Sequence, residues 1–179
     1  MIKDFILNYV TVAVQKSSTE KIVKKESELD GIERFLMIPG TVMDDGKDYK
    51  IDERLLDSVG IETKEIWERA EKNLHENVFV YSLNDFFGQE VVDVPIVVVT
   101  TKNGRLGASA ALDRRVLKEI GNKFSTHELI ILPSSIHEML ILPNPIGCLE
   151  DYTKMVEKVN KEEVIPEDRL TDRAYKIEI

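Results

Sequence analysis

Two serines, a histidine and a glutamate stand close together in this chain, as Ser134, Ser135, His137 and Glu138. A serine nucleophile needs a base that takes its proton, an acid that orients the base, and donors for the oxyanion. These residue types therefore permit a hydrolase hypothesis, with Ser134 or Ser135 as nucleophile and His137 as base. The segment has no Gly-x-Ser-x-Gly elbow, and in a strand His137 and Glu138 would point to opposite faces.

A turn is the simpler interpretation of the same segment. Apolar residues flank it on both sides, at 129–132 and 138–142, and this pattern predicts two strands joined through Pro133–Ile136. Serine hydroxyls commonly satisfy turn amides, which gives the two serines a structural role. A polar turn between apolar strands is also a natural binding surface, and we favour this interpretation over the hydrolase.

Other candidate sites are weaker. His127 and Glu128 precede the first of these strands, but the chain has neither a His-Glu-x-x-His motif nor paired cysteines, so we expect no metal and no cofactor. Gly104–Ala110 lacks the lysine-serine ending of a phosphate-binding loop. Arg105 and Arg114 belong to a locally basic segment that offers candidate contacts for an anion, with a solvated helix face as the alternative.

Composition limits the classes of function. The 179 residues carry a formal net charge of −9, which argues against general nucleic-acid binding because that requires excess Lys and Arg. The chain has one cysteine, Cys148, and its apolar runs fall short of the roughly 20 residues that span a membrane. We therefore expect a cytoplasmic globular protein whose partner is another protein or a small ligand.

The elements that position these residues follow from hydrophobic periodicity. The pattern predicts an amphipathic helix over 2–14, although its β-branched end also suits a strand, and residues 16–30 predict a short exposed helix or linker. We accordingly treat residues 1–30 as an appendage to a single domain over 31–179. Further predictions are strands at 34–43 and 49–51, a helical turn at 54–58 that stops at Gly60, and a helix at 63–77.

The second half predicts hairpins and helices. A strand over 95–100 precedes Asn103-Gly104, a dipeptide suited to a tight hairpin, so we expect a return strand at 106–112. A helix capped by Asp113 follows, then the 129–142 strand pair, a helix after Gly147, and an edge strand at 174–179. The fold class is therefore α+β: an antiparallel sheet built from hairpins, with helices packed on one face.

The helices predict part of the core. Apolar side chains recur at core spacing in three of them: Ile66, Trp67, Ala70 and Leu74; Val116, Leu117, Ile120 and Phe124; Leu149, Tyr152, Val156 and Val159. Trp67 and Cys148 are both expected to be buried, because both residue types are commonly found inside proteins.

The segment Ile131–Glu138 resembles the signature of an uncharacterised family of bacterial proteins, in which Leu-Pro-Ser-Ser-Ile-His-Glu follows an apolar strand. The resemblance extends from about residue 62 to 175 and includes Thr100–Gly104, Gly107–Ser109 and Leu170–Tyr175. It implies no established activity and no catalytic role. It does mark the segment as a feature of the family, although family members typically have a longer N-terminal region than this chain.

Three hypotheses remain open from the sequence. The first is a non-enzymatic binding or regulatory module that uses the 133–138 turn. The second is the serine hydrolase. The third is a structural protein that acts through self-association.

Overall fold

The structure, a computed structural model, describes residues 1–87, 95–143 and 145–179. The chain forms two compact units, Met1–Asn77 and Val78–Ile179. In the described residues no helix is long and apolar enough to cross a membrane. Both units combine helices with an antiparallel sheet, so the predicted α+β class is confirmed, with two sheets instead of one.

The first unit has a sheet in which β3 is paired on both sides. Its elements are α1 (Ile2–Tyr9), β1 (Thr11–Lys16), β2 (Lys24–Glu26), β3 (Ile32–Ile38), a 3₁₀ turn (Gly40–Val42), β4 (Tyr49–Lys50), α2 (Glu53–Val59) and α3 (Thr63–Glu76). β1 pairs with β3, and β2 and β4 also pair with β3, all antiparallel. Gly60 ends α2 in the left-handed conformation, as its sequence position predicts.

The N-terminal segment differs from the appendage that the sequence suggested. The predicted helix over 2–14 ends at Tyr9, and the β-branched residues after it form β1. Residues 24–26 form a strand where an exposed helix or linker was expected. Because β1 and β2 both pair with β3, residues 1–30 belong to the same unit as the strand that follows, and the chain divides near residue 77.

A buried carboxylate organises one end of this sheet. Glu33 on β3 is 1% exposed and accepts hydrogen bonds from Gln15 Nε2 at 2.7 Å, Ser18 Oγ at 2.7 Å and the Ser18 amide at 3.1 Å. Lys24 Nζ lies 3.0 Å from its Oε2. Burial alone would raise the pKa of Glu33, but the hydrogen bonds outweigh it and lower the pKa to about 2.

The second unit has a five-stranded antiparallel sheet with the order β5-β6-β8-β7-β9. Its elements are β5 (Val78–Ser82), α4 (Leu83–Phe87), β6 (Val97–Thr101), a 3₁₀ segment (Gly107–Leu112), α5 (Arg114–Phe124), β7 (Glu128–Leu132), β8 (Met139–Leu142), α6 (Leu149–Glu163), a 3₁₀ turn (Pro166–Asp168) and β9 (Tyr175–Glu178). The sequence predicted the β7–β8 hairpin and the edge strand β9, and it missed β5.

The return strand predicted at 106–112 is wrong, because residues 107–112 form a 3₁₀ helix. Both edges of β6 are already occupied, by β5 on one side and β8 on the other, so no hairpin partner can join it there. The small residues of the segment are buried, and Gly107 packs against the backbone of Thr100 and Thr101. Gly107 is therefore a point of close packing between the 3₁₀ segment and β6.

Helix periodicity located the part of the core that α3, α5 and α6 supply, whereas most of the other buried apolar side chains lie on strands and in the segments between them. All four predicted residues of α3 are buried, including Trp67, as are Val116, Leu117 and Ile120 of α5. In α6 Tyr152 and Val156 are buried, but Leu149 and Val159 are exposed and Asn160 is buried instead. Cys148, predicted to be a core residue, is exposed, because it precedes α6 as the N-cap residue.

Candidate functional site

The segment Pro133–Glu138, hereafter the 133–138 loop, joins β7 to β8 at the centre of the second unit's sheet. The two strands pair antiparallel with Leu132 opposite Leu140 and Ile130 opposite Leu142. Their apolar side chains are largely buried, so the strands hold both ends of the loop in fixed positions. The loop residues after the buried Pro133 are all partly exposed.

The imidazole of His137 uses both of its nitrogens within the protein. Nδ1 accepts a hydrogen bond from the Leu106 amide at 3.1 Å, and Nε2 lies 3.3 Å from Asp168 Oδ2. A nitrogen that accepts from an amide carries no proton, so the neutral ring holds its proton on Nε2, facing the carboxylate. His137 therefore connects the loop to two segments that are distant in sequence.

The loop backbone is fixed by the same two segments. The carbonyl of His137 accepts from the Gly107 amide at 3.0 Å and from Thr100 Oγ1 at 2.8 Å, and the Ile136 carbonyl accepts from the Ala108 amide at 3.3 Å. The Ile136 amide donates to the carbonyl of Asp168 at 2.9 Å. Four hydrogen bonds therefore join the loop backbone to residues 100, 107, 108 and 168.

Gly107 makes the approach of these segments sterically feasible. A Cβ at this position would lie 2.4 Å from the Thr101 amide nitrogen and 2.6 Å from Thr100 Oγ1, both far inside van der Waals contact. The preceding Leu106 adopts a left-handed conformation with φ 51°, which turns the chain into the 3₁₀ helix. The glycine therefore allows the 3₁₀ segment to approach β6 and the loop.

Ser135 contacts the loop itself. Ser135 Oγ accepts from the His137 backbone amide at 3.0 Å, and the Ser135 amide donates to the Glu138 carbonyl at 3.1 Å. This is the turn chemistry that the sequence suggested. Within the described residues no hydrogen bond joins Ser134 or Ser135 to an imidazole nitrogen, so this geometry gives the hydrolase hypothesis no support.

The remaining predicted site residues lie in different surroundings. Burial raises the pKa of the Tyr81 phenol, and the negative charge of the nearby Glu138 raises it further. Arg114 donates to the Glu178 carbonyl at 2.6 Å, a contact with β9. Arg105 precedes the Leu106 amide that binds His137. Among the described residues no group of three His, Cys, Asp or Glu side chains is arranged to hold a metal ion.

Sequence reasoning missed Asp168, Thr100 and the Leu106 amide as partners of the loop. Asp168 lies in a charged stretch with no motif around it, so no local pattern distinguishes it from its neighbours. Gly107 did carry a signal, since a glycine within a predicted strand often marks a close approach of another element.

Comparison with known proteins identifies a family. The model of DUF5688, a family of unknown function, matches residues 37–178. Neither the curated proteins nor the solved structures contain a significant match. The family match covers all five strands of the second unit's sheet and the whole of the 133–138 loop, but of the first unit's sheet only β4 and the last two residues of β3. The chain therefore belongs to this family of unknown function.

Proposed function

We propose that the protein is a non-catalytic binding module of the cytoplasm, and that the 133–138 loop presents its binding surface. The observation that carries the proposal is the engagement of both His137 ring nitrogens, by the Leu106 amide and by Asp168. A general base must offer a free nitrogen to the group it deprotonates, and this ring already uses both. His137 is accordingly a positioning residue for the loop.

A fixed loop on a rigid sheet favours binding. A surface that is ordered before its ligand arrives loses less conformational entropy on binding, which increases affinity. Binding residues are frequently found on loops that a rigid scaffold positions. Ser134, Ser135 and Glu138 are partly exposed on the fixed loop and can offer hydroxyl and carboxylate groups to a partner.

We propose different roles for Arg105 and Arg114. Arg105 is exposed and next to Leu106, so we include it in the proposed surface as a contact for an anionic group. Arg114 is bonded to β9 through the Glu178 carbonyl, a contact that supports a structural role for it.

The proposal is tested by screening small molecules and candidate protein partners for binding to the wild type, His137→Ala and His127→Ala. We expect ligands of the wild type to bind His137→Ala at least about tenfold more weakly, because the loop must be ordered on binding. His127 is exposed and outside the loop, so its alanine variant serves as the control. Identical binding profiles for the wild type and His137→Ala would sink the assignment of the surface.

A further inference from the structure

Two aromatic side chains reach the surface on β5, the strand at one end of the second unit's sheet. Phe79 is 49% exposed, and Tyr81 is partly exposed. Because the two residues are two positions apart on one strand, their side chains lie on the same face of the sheet. Their ring centroids are 5.5 Å apart, with an angle of 38° between the ring planes. Aromatic residues are enriched at protein interfaces, so this exposed pair is a candidate contact.

The sheet register brings Glu138, the last residue of the loop, toward this pair. Tyr81 is opposite Val98 on β6, and Val98 is opposite Leu140 on β8. Glu138 comes two residues before Leu140, so side-chain alternation directs its carboxylate to the face that carries Tyr81. Burial is the larger cause of the raised pKa of Tyr81 and the charge of Glu138 is the second, which supports this placement. Phe79, Tyr81 and Glu138 therefore form one surface, hereafter the aromatic-acidic patch.

The Glu138 carboxylate has no cationic partner among the residues that the structure describes, and none of them donates a hydrogen bond to it. Glu128, at the start of the neighbouring strand β7, is paired with Lys176 at 2.6 Å. The adjacent His137 cannot serve Glu138, because Asp168 and the Leu106 amide already engage both of its ring nitrogens. The carboxylate is therefore available to a positive charge from another molecule.

Positive charges of the chain cover several of its other rings. Lys25 Nζ lies 4.1 Å from the ring centroid of Trp67, and the Arg173 guanidinium lies 5.4 Å from that of Tyr175. No cation in the described part of the chain is placed over the Phe79 ring in this way. A ring attracts a cation within about 6 Å of its centroid, by about 0.5–1 kcal/mol at an exposed site. Phe79 is therefore an exposed ring that can accept a cation from a partner.

We propose that the aromatic-acidic patch binds an arginine side chain of a basic segment in a partner protein, with the guanidinium between the rings and the Glu138 carboxylate. This inference rests on the proposed function and names the class of partner for it. Arginine fits better than lysine, because a planar guanidinium can stack on a ring and also pair with a carboxylate. The net charge of −9 favours a basic partner, since the field of the chain attracts positive charge. Arg105, on a different segment, stays a contact for an anionic group of the same partner.

The amides of N-acetylarginine and N-acetylcitrulline test the proposal on the full chain. Citrulline has a neutral ureido group of almost the same size in place of the guanidinium, so the difference between the two probes reports the charge. We expect the arginine probe to bind at least about fivefold more tightly in an NMR titration at low salt, with the largest shifts at residues 79–81 and 138–140. Added salt should weaken its binding. Equal affinity for the two probes, or no binding of the arginine probe, would overturn the proposal.

A matched pair of variants tests the carboxylate. Glu138→Gln keeps the shape of the side chain and removes its charge, so it should abolish the preference for arginine over citrulline. Glu157→Gln removes the same charge from an exposed position on α6 and should leave the preference unchanged. A preference for arginine that persists in Glu138→Gln would place the cation elsewhere and contradict the proposal.

The ring is tested with Phe79→Leu, which keeps an apolar side chain at an exposed position but removes the π face. We expect arginine binding to weaken about threefold. Tyr49→Leu is the control, because Tyr49 is 44% exposed and its hydroxyl is bonded to Asp45 in the first unit. Equal binding by the wild type and Phe79→Leu would contradict the proposed position of the cation.

The two proposals fail in different ways. Arginine binding that is unchanged in His137→Ala would contradict the proposed role of the loop and leave the aromatic-acidic patch in place. Ligands that bind the wild type and not His137→Ala, together with equal affinity for arginine and citrulline, would support the loop and overturn the cation site.

Discussion

A single residue, His137, links three segments of the chain: the 133–138 loop, the residues around Leu106 and the residues around Asp168. Its side chain is 33% exposed and its partner Asp168 is 24% exposed, so the pair is partly screened by solvent. The Nδ1 bond to the Leu106 amide is the more specific contact, since it needs a ring nitrogen without a proton at one position. The ring therefore stabilises the loop mainly through direction and geometry.

Two substitutions of His137 should distinguish the contribution of the bond to the Leu106 amide from that of the whole side chain. We expect His137→Ala to destabilise the second unit by about 2 kcal/mol, because the variant leaves a backbone amide and a carboxylate without their partner. His137→Asn retains an acceptor near the Nδ1 position and should lose about half as much. Hydrogen exchange at the Leu106 amide measures the effect, and it should accelerate in the alanine variant far more than in the asparagine variant. Equal protection in all three proteins would show that the bond is not formed.

The 3₁₀ segment Gly107–Leu112 is the element that positions the loop. Its first residues supply the Gly107 and Ala108 amides that bind the loop carbonyls, and Leu106 before it supplies the amide for the imidazole. A β-strand at the same place would direct these amides toward a neighbouring strand. The departure from the predicted hairpin is thus the feature that completes the site.

Gly107→Ala tests the close packing of this element. The added methyl group would overlap the backbone of Thr101, so we expect the second unit to lose about 3 kcal/mol of stability in urea unfolding followed by circular dichroism. Gly104→Ala is the control, because Gly104 has φ +68° with open space around it. That variant should cost only about 1 kcal/mol, from backbone strain alone. Similar losses for both variants would show that packing at Gly107 is not tight.

In the whole molecule, each of the two compact units has its own sheet. Each unit is stabilised by a polar cluster as well as by its hydrophobic core. In the first unit this cluster centres on Glu33, whose lowered pKa links folding to pH. Because the folded pKa of about 2 is below the ordinary glutamate pKa of 4.5, the carboxylate adds stability that is fully present above about pH 4.5. This stability, about 3 kcal/mol, is lost as the pH falls toward 2.

Glu33→Gln should therefore destabilise the first unit at neutral pH by about 3 kcal/mol, because the amide places donors against donors. The difference from the wild type should shrink as the pH falls from about 5 to 3, because Glu33 of the unfolded wild type takes up a proton in this range while the folded state, with a pKa of about 2, stays charged. Trp67, the only tryptophan in the chain, is buried in this unit and reports its unfolding by fluorescence. A difference that stays constant across this pH range would contradict the account.

Local patterns explain how much of the fold was predictable. The helical spacing of Ile66, Trp67, Ala70 and Leu74 located α3, and the apolar runs around Pro133 located the central hairpin. The fate of residues 106–112 depended on which strands flank β6, and no local pattern contains that information. β5 was missed because it pairs on one side and is half exposed, so its burial pattern does not alternate clearly.

The candidate site, like the fold, was predicted only in part from the sequence. The residue types at 134–138 drew attention to this loop, and the contacts of Ser135 are those of a turn residue. Asp168 and Leu106 reach His137 only through the tertiary fold, at separations of about 30 residues in sequence on either side.

The protonation state of the His137 ring nitrogens shows whether the ring is committed to the loop. Nitrogen NMR of the neutral imidazole should show a bare Nδ1 with a scalar coupling across the hydrogen bond to the Leu106 amide, and a proton on Nε2. A proton on Nδ1 without that coupling would contradict the account, because the ring would then be free to serve another group.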